Sequence, residues 1–439
     1  MDAEHAATAG ARNHHAVPSR CAHQERARPR RGWGPSAVPR GGMRVFGPQS
    51  MLVLLLMVAA VGGLAYVLAR QGPHVGLRIG AGVLAFALSS VFGMALVNRF
   101  YDYYQTWGDL VDDLAGRHPG VQALPPGGGK NLKTGGAPAR DGLLVTTALA
   151  GSKSRISREG LVYLPPQYFQ ARYASARFPV LELLHGSPGE PEDWQRGLHV
   201  TTTFRSMVDR HQARPSILVM PNINGNAHGA GGSQCLDRPR GARNDTYLAE
   251  DVPTAVETSF RAEPVGAHWG VAGFSEGGFC AANLALRHPG VFGLAGVMSG
   301  YFQPLPEHGS DPFGGDARAR LENDPLWRVT NAPPAARLPA FWLMAGGSDR
   351  GDVADARLFH SVLQSHGQDA PMVTIPHARH TYAAWNPAFP KFLTWATARL
   401  GDPAQGTAPT PRPGKLPPVG PAGVPGDGPP PPVHQIKRS

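Results

Sequence analysis

The stretch Trp269-Gly-Val-Ala-Gly-Phe-Ser-Glu-Gly-Gly-Phe-Cys280 constrains the fold more than any other part of the chain. It reads as a short apolar strand, a forced corner, and a helix that opens on glycines. Ser275 sits at the corner, within the G-x-S-x-G pattern Gly273-Phe-Ser-Glu-Gly277, the signature of a nucleophile elbow. The spacing has a physical reason. A serine that attacks a carbonyl must stand on a tight strand-to-helix turn with its hydroxyl outward. Glycine at both flanks removes the Cβ atoms that would clash there. The helix starting near Glu276 then aims unpaired N–H groups toward any oxyanion that develops. The competing reading is an ordinary glycine-rich turn, because a chain with 55 glycines produces such patterns by chance. The decision therefore rests on partners elsewhere.

Composition matters mainly through its unevenness. The formal net charge of +10 is half accounted for by residues 1–50, where eight arginines face Asp2, Glu4 and Glu25. The remainder shows no basic stripe interleaved with aromatics, so no nucleic-acid partner is expected. Three cysteines without a C-x-x-C pair exclude a zinc ribbon.

Residues 1–50 form an arginine-rich segment without apolar periodicity and are expected to be disordered; Met43 and Met51 are both candidate translation starts. Residues 51–99 hold two uncharged apolar runs, Met51–Ala69 and Ile79–Val97, joined through Arg70-Gln-Gly-Pro-His74. Each is long enough to cross a hydrocarbon core of about 30 Å, so a transmembrane hairpin over 51–97 is expected, with the lipid bilayer as partner. Phe100-Tyr-Asp-Tyr-Tyr104 and Trp107 would sit at the interface. With the arginine-rich tail retained, the positive-inside rule returns the C-terminal part to the cytoplasm. With a start at Met51, the turn bearing Arg70 and Arg78 is cytoplasmic and both ends face outward. Residues 100–140 read as a linker containing Pro125-Pro-Gly-Gly-Gly-Lys130. Residues 401–439 are proline-dense and expected to be extended and disordered.

Between 141 and 400 strands alternate with helices, which predicts an α/β fold on a largely parallel sheet. The expected strands are Leu143–Ala148, Gly160–Leu164, Pro179–Leu184, Ser216–Met220, Gly270–Gly273, Leu294–Met298, Ala340–Met344 and Met372–Ile375. In such sheets the site lies at the carboxyl ends of the strands, and the candidate residues fall there. A serine nucleophile needs a base and the base an orienter. His380, after the strand Met372–Ile375, is the favoured base over its neighbour His377. Asp349, after the strand Ala340–Met344, is the favoured acid, with Asp352 and Asp355 as alternatives. The turn His185-Gly-Ser187 supplies a second oxyanion donor, so the donors are assigned as the N–H groups of Ser187 and Glu276.

These residues together resemble the Putative esterase family of α/β-hydrolases, which includes esterase D (S-formylglutathione hydrolase) and the secreted mycolyltransferases. The resemblance rests on L-L-H-G-S-P-G from Leu183, V-E-T-S-F-R-A before the elbow strand, G-F-S-E-G-G-F with L-A-L-R-H-P-G-V-F-G after it, and R-H-T-Y-A-A-W from Arg379. It implies an α/β-hydrolase fold with Ser275 as nucleophile, Asp349 as acid and His380 as base. The N-terminal hairpin with Y-Y-Q-T-W-G-D-L is similar to that of membrane-anchored actinobacterial members, in which the catalytic domain lies outside the cell. In this fold Cys235 and Cys280 should converge near the site and form a disulfide, which requires an oxidising compartment and favours the outward-facing domain. The expected function is a cell-surface serine esterase acting on acyl esters, with no metal or organic cofactor. The alternatives are a mycolyltransferase-like acyltransferase that loads sugars or polyols, with a cell-wall glycan or glycolipid as partner, and a non-catalytic wall-binding module.

Overall fold

The computed structural model describes residues 47–48, 50–70, 75–101, 104, 107–115, 121–225, 232–239, 241–306, 310–333 and 336–405. The expectations for most of the arginine-rich tail and of the proline-dense tail concern residues outside this set. Eleven strands are present among the described residues: β1 Val121–Ala123, β2 Leu143–Ala150, β3 Ser157–Leu164, β4 Ala176–Arg177, β5 Val180–Leu184, β6 Ile217–Pro221, β7 Gly266–Phe274, β8 Phe292–Met298, β9 Ala340–Gly346, β10 Met372–Ile375 and β11 Ala404–Gln405. Nine of them form one sheet in the order β1-β2-β3-β6-β5-β7-β8-β9-β10, and β4 pairs with β11 apart from it. The β2–β3 and β3–β6 pairings are antiparallel and the other six in the sheet parallel, which makes an α/β-hydrolase sheet of mixed, mostly parallel type.

The central strands are apolar almost throughout, Glu182 in β5 being an exception, because both faces are covered. Every residue of β5 (Val-Leu-Glu-Leu-Leu) and β6 (Ile-Leu-Val-Met-Pro) is buried. Side chains alternate between two cores, as the period of two requires. Val180, Val271, Ala295 and Phe341 enter one core, together with Val256, Phe279 and Phe359 from helices Val252–Ser259, Glu276–Arg287 and Arg350–Ser365. Leu181, Ala272, Leu294 and Trp342 enter the other, with Phe204 from helix Val200–Asp209 and Phe389 and Phe392 from helix Tyr382–Leu400. The register aligns the ends of β5, β7, β8 and β9: Leu184 lies opposite Gly273, Phe274 opposite Met298, and Met298 opposite Met344. The loops that follow these residues therefore emerge side by side.

The expected linker 100–140 needs correction. Val121–Ala123 joins the sheet edge, parallel to β2. The glycine run behind it is docked. Gly127 N–H donates to Ser259 Oγ (3.0 Å), and Tyr168 Oη donates to the Gly129 carbonyl (3.1 Å). A Cβ at Gly129 would overlap the Phe260 ring, so glycine here serves close approach rather than flexibility. A three-residue strand carries no readable period, which is why the composition suggested a linker.

The two N-terminal apolar helices are α1 (Met51–Arg70) and α2 (Val75–Tyr101). Both are long and apolar enough to cross a membrane. Only 6% of the apolar window of α1 and none of that of α2 is buried, which sets them apart from the core helices of a soluble domain.

Candidate active site

Ser275 occupies the corner between β7 and helix Glu276–Arg287 with φ 56° and ψ −121°. A non-glycine residue in this region stores about 1–3 kcal/mol of backbone strain, held by its surroundings. Here the Ser275 N–H donates to the Met298 carbonyl (2.9 Å), and the Gly278 N–H donates to the Ser275 carbonyl (3.0 Å). Glycine at 277 is required by crowding, since a Cβ would overlap the carbonyl oxygens of Leu184 and His185. The elbow is thereby pressed onto the end of β5. Gly186, in the next loop, faces Ser275 so closely that a Cβ on it would sit 3.3 Å from the Ser275 Cβ.

His185 shows how that loop is held. The side chain is fully buried, and burial lowers its pKa to about 4, so it is neutral. The Ile223 N–H donates to Nε2 (3.1 Å), which puts the proton on Nδ1, where it donates to the Gly186 carbonyl (2.8 Å). His185 thus ties the Gly186–Ser187 turn to the loop after β6. Ser187 follows on this turn, half-buried. Glu276, the first residue of the elbow helix, buries its carboxylate and accepts the Gln234 N–H (2.7 Å). The Gln234 side chain in turn donates to the Leu305 carbonyl (2.9 Å) and accepts the Leu305 N–H (2.8 Å). One turn along the same helix, Cys280 is joined to Cys235 by a disulfide, with Cα atoms 5.6 Å apart. Loop 232–236 is therefore fastened to the elbow helix at two points.

His380, the candidate base, meets a different aspartate from the one favoured in the sequence. His380 Nδ1 lies 2.7 Å from Asp352 Oδ2, with the Asp352 side chain 7% exposed and that of His380 26%. Asp349 instead caps helix Arg350–Ser365: its Oδ1 accepts the Asp352 N–H (3.1 Å). The physical reason is local. Asp349 is the last extended residue before the helix (φ −93°, ψ 98°), so its carboxylate turns to the orphan amides of the first turn. Asp352, three residues on, is carried round by that turn toward the loop after β10. The His380 ring meets the Trp385 indole edge-on at 5.4 Å, and that indole stacks on Phe274 at 4.6 Å. Trp385 Nε1 also donates to Ser299 Oγ (3.1 Å). The imidazole is thus docked, through one indole, against the residue that precedes Ser275. His377, the rival base, is exposed on a left-handed turn (φ 58°).

Asp349, Asp352 and His380 bring potential ligand atoms within 4.8 Å of one another. Asp352 and His380 are committed to each other and Asp349 to the cap, so the trio reads as an acid–base pair with its support. A second pair lies at the far end of the elbow helix. His288 Nε2 is 2.6 Å from Asp245 Oδ1, and Arg287 Nε donates to Asp245 Oδ2 (2.9 Å). Sequence reading missed three features that act on the site: the His185 tether, the Glu276–Gln234 bond and the Trp385 bridge. Only the position of Trp385 five residues after His380 hinted at the last.

With this geometry the comparisons are specific. The family model described as "Putative esterase" matches residues 155–396, more than half of the chain. The chain belongs to the Putative esterase family. An uncharacterised protein of Corynebacterium glutamicum is 25% identical over 273 residues, covering 59% of this chain and 63% of the relative. An esterase of Mycobacterium tuberculosis is 32% identical over 140 residues, 32% of this chain and 28% of that protein. The chain thus spans less than two thirds of the length of these relatives. A solved ferulic acid esterase superposes with a TM-score of 0.52 at 24% identity, covering 60% of this chain and 99% of its own, a likeness in fold.

Proposed function

We propose that the chain is a membrane-anchored serine esterase acting through an acyl-enzyme. The observation that carries this reading is the positive-φ corner of Ser275 beside a His380–Asp352 pair docked through Trp385 onto Phe274. Ser275 Oγ attacks the ester carbonyl as His380 Nε2 takes its proton, and Asp352 holds the imidazole by Nδ1 and stabilises the imidazolium. The N–H groups of Glu276 and Ser187 bind the oxyanion; one such donor is worth about 10²–10³ in rate. His380 then protonates the departing alcohol, and water, activated by the same nitrogen, releases the acid. Helices α1 and α2 anchor the domain to the bilayer. The Cys235–Cys280 disulfide supports a domain on the oxidising, extracytoplasmic side.

The test is covalent labelling with a fluorophosphonate, alongside turnover of short-chain p-nitrophenyl esters. Labelling and turnover should both vanish in Ser275→Ala. Intact labelling of that variant, or no turnover by the parent chain, sinks the assignment. Adding a sugar or polyol to the assay separates the outcomes for the acyl-enzyme: an acylated acceptor in place of free acid would make the chain an acyltransferase acting on a wall glycan or glycolipid.

A further inference from the structure

β8 lies between β7 and β9 in the sheet, so the turn after it emerges between the Ser275 corner and the end of β9. The first residue of that turn is strained. Ser299 has φ 49°, in the left-handed region that favours glycine. The next residue is a glycine for a different reason, close approach. A Cβ at Gly300 would lie 2.8 Å from the Gly278 carbonyl carbon, and one at Gly278 3.0 Å from the Gly300 Cα. The turn therefore rests its backbone on the first turn of the elbow helix. At position 299 a glycine would be unstrained, yet the chain carries a serine.

The hydroxyl accounts for that serine. Ser299 and Trp385 are both buried, so the indole N–H needs an acceptor there. Trp385 Nε1 donates to Ser299 Oγ (3.1 Å), while Ser299 Oγ donates weakly to Met344 Sδ (4.0 Å). The backbone at this point is tied to both neighbouring strands. The Met298 carbonyl accepts the Ser275 N–H (2.9 Å), and the Ser299 N–H donates to the Met344 carbonyl (2.8 Å). Met344 lies in β9, which leads to helix Arg350–Ser365 and Asp352. The indole that Ser299 holds meets the His380 ring edge-on at 5.4 Å. One residue step, 298 to 299, thus touches the elbow, the strand before the acid, and the indole against the base.

We propose that Ser299 is a positioning residue: its hydroxyl fixes the Trp385 indole, and the indole fixes the His380 imidazole relative to Ser275. This rests on the serine-esterase reading above. A bond that served the fold alone would act on stability. One that sets the imidazole acts on the bound substrate's rate, since about 1 Å of misplacement can cost on the order of 10²-fold.

The experiment measures p-nitrophenyl ester turnover, fluorophosphonate labelling rate and thermal unfolding of the full chain. Ser299→Ala removes the hydroxyl and keeps the strain; Ser299→Gly removes both. Each should lower kcat per folded molecule by about ten- to a hundredfold with KM within about twofold, and Ser299→Gly should unfold no earlier than Ser299→Ala. Trp385→Phe takes away the N–H that Ser299 accepts and keeps a ring against Phe274. In that background Ser299→Gly should lower kcat no further, because the two changes break one interaction. Parental kcat in both Ser299 variants overturns the positioning role and leaves the esterase reading standing. A full additional loss in the Trp385→Phe background overturns it too, since Ser299 would then act by another route. A parent chain without turnover or Ser275-dependent labelling overturns the esterase reading, and this role with it.

Discussion

The elbow helix Glu276–Arg287 has a carboxylate–imidazole pair beyond each end, and the two pairs are almost identical in length. His380–Asp352 is 2.7 Å and His288–Asp245 is 2.6 Å, with side chains of similar exposure. They differ in what else holds the carboxylate and in which nitrogen is used. Asp245 is shared between His288 and the Arg287 guanidinium. Burial alone would raise its pKa, but the charges and hydrogen bonds of His288 and Arg287 outweigh burial and bring it to about 2. His288 spends Nε2 on this bond. His380 spends Nδ1 on its carboxylate, so Nε2 is the nitrogen proposed to transfer a proton, and its ring packs edge-on against Trp385, which stacks on Phe274. A short Asp–His bond is thus no mark of catalysis by itself. Which nitrogen the carboxylate takes, and which residues the ring packs against, are what separate the proposed general base from a helix-end tie.

The sharpest way to break this comparison is at the nucleophile. Ser275→Ala should lower kcat by about 10⁵–10⁶-fold with the thermal unfolding midpoint little changed, as read by ester turnover and calorimetry. Next comes the acid. Asp352→Asn should cost about 10⁴-fold in kcat, because an amide favours the wrong imidazole tautomer. Asp349→Asn preserves the cap and should leave activity near that of the parent. Equal losses in the two variants would return Asp349 to the acid's role. Asp245→Asn at the other pair should do the reverse. It should destabilise by about 2 kcal/mol, through loss of the carboxylate charge that the half-buried Arg287 and His288 face, while kcat per folded molecule holds. The pH dependence sharpens this further. Asp245 has an ordinary value of 3.8 and a folded value of about 2, so its contribution is complete above 3.8 and is lost as pH falls through 2. That shift is worth about 2 kcal/mol, and acid unfolding of Asp245→Asn should lack it. The smallest effect belongs to Asp349→Ala, which removes a helix cap and should cost about 1 kcal/mol in chemical denaturation.

Much of the fold was legible because alternation is a local signal. All eight expected strands are present, several extended by a few residues, such as Gly266–Phe274 for the expected Gly270–Gly273. The exceptions were β1, β4 and β11, two or three residues each and too short to show a period. The candidate site was legible in part. The corner at Ser275 is written in its glycines. His380 and its rival His377 stood out as the histidines just after a strand. Asp349 and Asp352, however, lie within one helical turn of each other after the same strand, and no sequence rule separates them.

What the sequence determined by itself is therefore whatever follows from nearest neighbours: the strand pattern, the elbow, the two membrane-length helices and the family. The tertiary structure decided which aspartate meets His380 and that Glu276 reaches across to Gln234, and it bears out the expected meeting of Cys235 with Cys280. These are contacts between segments 28, 42 and 45 residues apart. Their geometry depends on how a turn of helix rotates a side chain and on how strands register, and neither quantity is encoded in the identity of the residue that makes the contact.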